Sequence, residues 1–130
     1  MPSSLLVVDG NNVMGSRPDG WWRDPADAAR RLVAQLGDWA AAADRDVLVV
    51  FDGPPPARLA TPPRVEVRFA ARRGPDAADD EIAAFVAADP APERLRVVTS
   101  DAELARRVRA HGAEVFGARR LLDQLRVDGP

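Results

Sequence analysis

The chain has no cysteine and no lysine, a single histidine, and no apolar run of membrane length. Without thiols there can be neither disulfides nor thiolate metal sites. Without a long apolar run there is no membrane span. The first apolar run starts at Leu5, which leaves no room for a signal peptide, so a cytoplasmic protein is expected. His111 falls near the end of a helical pattern, where a cation or a hydrogen bond to the last carbonyls is favourable. It reads as structural, which removes histidine acid–base chemistry. No glycine-rich dinucleotide fingerprint or Walker loop is present. A phosphoacceptor receiver domain needs an acid pair after the first strand, an acceptor aspartate after the third and a lysine after the fifth. The chain has none of that arrangement.

All 18 basic residues are therefore arginine, against 20 acids, for a net charge of −2. That balance argues against tight, non-specific binding to duplex nucleic acid. Alanine, arginine and proline are abundant, as a GC-rich genome alone would make them. The arginines must be judged by position.

At 130 residues the chain reads as one domain, 1–130, large enough for a core. Short Val/Leu-rich runs bounded by turn residues mark buried parallel strands. They fall at Leu5 to Val8, Val47 to Phe51 and Arg96 to Thr99, with a short fifth strand at Ala113 to Phe116. Val65, Val67 and Phe69 alternate with Glu66 and Arg68, which predicts an edge strand of undetermined direction. Asp9 to Asn12 reads as a loop. Asp24-Pro25 starts a helix that runs to about Ala43. Gly53 to Pro63 holds five prolines and excludes a helix. A second helical pattern covers roughly Asp76 to Ala88, burying Ile82, Phe85 and Val86. Ser100 and Glu103 have the spacing of a capping box opening a helix that Gly112 closes. A last helix runs from Ala118 to about Arg126. The simplest arrangement is an α/β, three-layer, Rossmann-like fold with a mostly parallel sheet of about five strands in the order 3-2-1-4-5.

In such a sheet, ligands bind beyond the carboxyl ends of the strands, at the point where strand order reverses. Asp9 follows the first strand and Asp101 the fourth, so they would face each other there. Asp52 follows the second strand. Asp79 shares the sheet-facing side of its helix with Ile82 and Val86, whereas Asp80 is rotated away by about 100° and is a poorer ligand candidate. Carboxylates gathered together repel unless a cation sits between them. All-oxygen ligands favour Mg²⁺ or Mn²⁺, as one or two ions. Such a site suits phosphodiester hydrolysis, the metal acidifying a water and stabilising charge on the phosphate. Asn12 and Ser100 are placed to orient a water or a phosphate oxygen. A single aspartate after a strand is more often a turn or cap residue; four at one edge reverse those odds.

Leu6 to Asn12, Val50 to Gly53, Val65 to Phe69, Ala78 to Ile82 and Val98 to Asp101 resemble, in order, the motifs of the NYN domain. The resemblance is to the YacP-like branch of the PIN-like nuclease superfamily. It implies a PIN-like fold, a metal-dependent endoribonuclease acting on single-stranded or ribosome-associated RNA, and RNA or the ribosome as partner. It matches Asp9, Asp79 and Asp101 to the family's acidic site, Asp52 to the aspartate after the second strand and Asn12 to the first-loop asparagine. A fourth acid after Asp101 would be Glu103, which the capping box already explains. The alternative is a non-catalytic RNA- or ribosome-binding module of the same fold. A pure binder has no need to concentrate negative charge where phosphate docks.

Arg72 and Arg73 precede the Asp79 helix and are placed to grip RNA phosphates, with a solvated loop as the equal alternative. Arg17 and Arg23 flank the first loop and are weaker candidates. Trp21 and Trp22 are adjacent and cannot easily both be buried, so one is a candidate base-stacking platform while the other packs against the helix start.

Overall fold

The computed structural model describes residues 4–17, 20–70 and 77–128. Five strands form one all-parallel sheet: β1 (Leu5–Asp9), β2 (Asp46–Phe51), β3 (Val65–Phe69), β4 (Leu95–Val98) and β5 (Glu114–Phe116), in the order β3-β2-β1-β4-β5. That is the order the apolar runs imply. Val7 pairs with Leu48 on one side and Val97 on the other, so β1 is the central strand. Its Val7 and Val8 are fully buried. Alternation splits the sheet into two faces. Leu6, Val8, Val47, Val49 and Val98 meet helices α2 (Pro25–Ala43) and α5 (Ala118–Asp128). Val7, Leu48, Val50, Leu95 and Val97 meet α3 (Ala77–Ala88) and α4 (Ala102–Ala110).

The direction of β3 is settled: it runs parallel to β2, with Phe51 opposite Phe69. The proline-rich connection is therefore a crossover with no helix in it. It is held by packing on α2. Pro62 lies so close to Gly37 that a Cβ there would come within 2.4 Å of it. The Arg30 guanidinium donates to the Ala57 carbonyl at 2.9 and 3.1 Å. Asp24 caps α2 by accepting the Asp27 N–H, with Pro25 in the first turn, as the sequence suggests.

Three local expectations are corrected. Asp9 to Asn12 is not a loop, because a short helix, α1 (Gly10–Gly15), starts directly after β1. Gly10 permits this: a Cβ there would sit 2.5 Å from the Phe51 ring and 3.0 Å from the Val50 carbonyl. The Ser100–Glu103 capping box does not form. Asp101 is the N-cap of α4, its carboxylate being the stronger acceptor, and it takes both the Glu103 and Leu104 N–H groups. Glu103 pairs with Arg106 instead, which holds its carboxyl below the usual range. Phe85 is half-buried rather than buried, with the Arg68 guanidinium over its ring at 5.3 Å. Among the described residues no helix is long and apolar enough to cross a membrane.

Candidate functional site

The carboxyl ends of β1, β2 and β4 meet at the start of α1, and side-chain hydrogen bonds tie them together. Asn11 accepts the Asp52 backbone N–H at 2.9 Å, reaching toward β2. Asn12 accepts the Ser100 backbone N–H at 2.8 Å, reaching toward β4. Consecutive asparagines thus straddle the end of β1 and fix both neighbours. Asn12 is a clamp between strands here, through its Oδ1. Ser100 is occupied as well: its Oγ accepts the Ala118 N–H at 2.9 Å and holds the start of α5.

Asp9 lies at the centre and is only 4% exposed. The Thr99 hydroxyl donates to its Oδ2 at 2.9 Å, and the Asp101 N–H donates to that hydroxyl at 3.1 Å. Burial pushes the Asp9 carboxyl up to about 7 from its ordinary 3.8. The Thr99 bond opposes the rise, while the charges of Asp79 and then Asp52 add to it. The Asn12 backbone N–H also favours the ionised form. The Asp9 carboxyl therefore ionises against both burial and two neighbouring carboxylates.

Asp79 is half-buried on α3 and, of the carboxylates, acts most strongly on Asp9. Asp52 anchors that helix: its Oδ1 accepts the Ala78 N–H at 2.8 Å. Asp101 spends Oδ1 on two backbone N–H groups at 2.9 and 3.0 Å. Asp80 turns away and pairs with Arg107 of α4 at 3.0 Å. Among the described residues, no three carboxylate or imidazole groups stand close enough to form a closed metal cage. Glu81 has one buried carboxylate oxygen without a hydrogen-bond partner. It lies about 200° round the helix from Asp79, outside this cluster.

Arg72 and Arg73 lie outside the described residues. Arg17 hydrogen-bonds Gln35 of α2. Trp21 and Trp22 form an edge-to-face pair with centroids 6.5 Å apart. Trp21 packs against the core, and Trp22 is 60% exposed with the Arg23 guanidinium 5.9 Å from its ring. His111 is exposed and closes α4 through its backbone N–H. Asn11 and Thr99 are the residues that sequence reasoning missed. Their only signal was adjacency, one beside Asn12 and the other two positions before Asp101.

The family model of the YacP-like NYN domain matches residues 6–128. The crystal structure of Rae1 (YacP) from Bacillus subtilis is 27% identical with a TM-score of 0.74, over 98% of this chain and 75% of that one. A point mutant of the same protein is 28% identical with a TM-score of 0.77, over 96% of this chain and 76% of that one. No curated protein matches the chain. With the family model matching over nearly the whole chain, and with the strand order and the acidic edge described above, the protein belongs to the YacP-like NYN family of the PIN-like nuclease superfamily.

Proposed function

We propose that the protein is a Mg²⁺- or Mn²⁺-dependent endoribonuclease that hydrolyses phosphodiester bonds in single-stranded or ribosome-associated RNA. The observation that carries this reading is the Asp9 carboxyl, buried at the end of the central strand and opposed by Asp79 and Asp52. A divalent cation at that point would relieve the repulsion and draw Asp9 into its ionised form. Mg²⁺ typically uses one or two carboxylates plus waters and substrate phosphates, and does not need an all-protein cage. Asp9 and Asp79 would hold it directly, with Asp101, the N-cap of α4, as the third candidate. When bound, the cation supplies an acidified water and neutralises charge on the phosphate.

The chain's own residues supply the positioning. Thr99 orients the Asp9 carboxylate. Asp52, through the Ala78 N–H, sets the start of the Asp79 helix. Asn11 and Asn12 keep the three strand ends in register. One observation favours the second reading, a non-catalytic RNA- or ribosome-binding module: Asp52 and Asp101 each spend a carboxylate oxygen on a helix start. Cleavage by the wild type, run beside Asp101→Asn, separates the two, because a pure binder cuts in neither form. Asparagine is an equally good N-cap, so the fold persists while the charge is lost. The variant should bind RNA and fail to cut it. If it cuts at the wild-type rate, Asp101 has no part in the chemistry.

A further inference from the structure

On the α2/α5 face of the sheet, β4 carries a charge where a core residue is expected. Arg96 stands between Leu95 and Val97 and, by alternation, shares its face with Val98 and with its β1 neighbour Leu6. Between this part of the sheet, α2 and α5 there is a cavity of about 210 Å³. Its apolar wall includes Trp39 of α2, Phe116 of β5 and Leu121 of α5. Its rim carries three guanidinium groups, Arg45, Arg96 and Arg120. No acidic side chain lines it among the described residues. The nearest charge partner is Glu114, whose carboxylate is 3.8 Å from Arg96, beyond hydrogen-bond distance. Among the described residues Arg45 bonds the neutral Ser4 hydroxyl. Arg120 lies over the Phe116 ring at 4.3 Å, and Arg96 over the same ring at 5.9 Å.

Three cations above an aromatic and apolar floor match a planar ring that bears phosphate. Guanidinium planes and aromatic faces stack bases, and arginine pairs with phosphate. The volume is below the ~300–1,000 Å³ of a pocket for a drug-sized ligand, so one ring system can be buried while its phosphates remain at the rim. The cavity reaches the amino ends of the strands, at Ser4, Arg45 and Arg96. The carboxylates stand at the other ends, about 16 Å from Ser4 along β1, and the cavity extends toward them as far as Val98 and Phe116. The start of α5 connects the two places, because Ala118 bonds Ser100 at the acidic edge while Arg120 and Leu121 line the cavity.

We infer that this cavity is a second RNA subsite, taking one base of a single-stranded RNA with its flanking phosphates on Arg45, Arg96 and Arg120. The inference rests on the ribonuclease reading for the identity of the polymer and on the cavity for the contact.

The test is binding of a short labelled single-stranded RNA to the full chain in EDTA, across a salt series, with Arg96→Gln and Arg120→Gln alongside. Arg120 is exposed on α5, so its variant retains the fold. Each substitution should weaken binding about tenfold or more, the loss of a charge-assisted hydrogen bond. Each should also lower the slope of log K against log salt by about 0.7. Arg120→Lys should restore the slope. Unchanged affinity and slope in both variants would overturn the subsite. Equal affinity for a free nucleoside monophosphate would overturn the assignment to an RNA strand. Because binding is read without metal, a protein that binds through these arginines but never cuts would refute the nuclease reading and leave the subsite standing.

Discussion

Replacing Asp9 with asparagine should make the metal-free protein more stable at pH 8 and leave it little changed at pH 4. The folded-state carboxyl titrates at about 7 and the ordinary value is 3.8, so the folded state holds an extra proton between those limits. Stability linked to Asp9 is fully present below pH 3.8 and is lost as pH rises through about 7. At 1.36 kcal/mol per pH unit, that interval comes to about 4 kcal/mol. Asparagine carries no charge to desolvate, and its carbonyl can still accept the Thr99 hydroxyl. Its amide loses the favourable charge at the Asn12 N–H and is imperfectly matched to the pocket, which returns about 1 kcal/mol of the gain. A net advantage of about 3 kcal/mol at pH 8 is a large part of the ~5–15 kcal/mol that holds a domain folded. The assay is urea unfolding of both proteins in EDTA from pH 4 to pH 8. The difference between them reports Asp9 together with its coupling to Asp79 and Asp52, because the remaining groups are common to both. It should grow steadily with pH and level off above about 7. A difference that stays flat, or a variant less stable at pH 8, would refute the electrostatic account. Adding Mn²⁺ at pH 8 should stabilise the wild type and not the variant.

Gly10→Ala should destabilise the fold by about 1–3 kcal/mol, because the new methyl meets the Phe51 ring and the Val50 carbonyl; the urea midpoint reports it. Asp80→Asn should cost under about 1 kcal/mol and leave RNA cleavage intact, since its partner is the half-exposed Arg107; a cleavage assay beside Asp79→Asn would distinguish the neighbours. Asp52→Ala should cost about 1–2 kcal/mol through loss of the bond to the Ala78 N–H, measured by thermal unfolding.

The sheet was legible because buried parallel strands write themselves as Val/Leu runs, and those of β1 and β2 end at or beside an aspartate while Asp101 follows β4 by three residues. The direction of β3 was not, because the proline-rich connection has no periodicity and its packing depends on Gly37, a contact remote in sequence. The cap of α4 was misplaced because Ser100 and Asp101 are adjacent and both are good caps; only the three-dimensional partner of Ser100, the Ala118 N–H, decides between them. The acidic residues could be named from their positions after strands. The roles of Asn11, Asn12 and Thr99 could not, since an asparagine that bridges two strands reads the same as one in a turn. The arginine-rimmed cavity was hidden for a similar reason: Arg96 lies within an apolar strand, and the gap above it depends on where α5 crosses.

The central claim is that the acidic edge around Asp9 holds a divalent cation and cuts RNA there. Cleavage of a labelled single-stranded RNA in Mn²⁺, with EDTA and Asp9→Asn as parallel reactions, tests it most directly. The account predicts cutting by the wild type in Mn²⁺ and none in either control. Cutting that persists in EDTA, or in the Asp9→Asn protein, would contradict it.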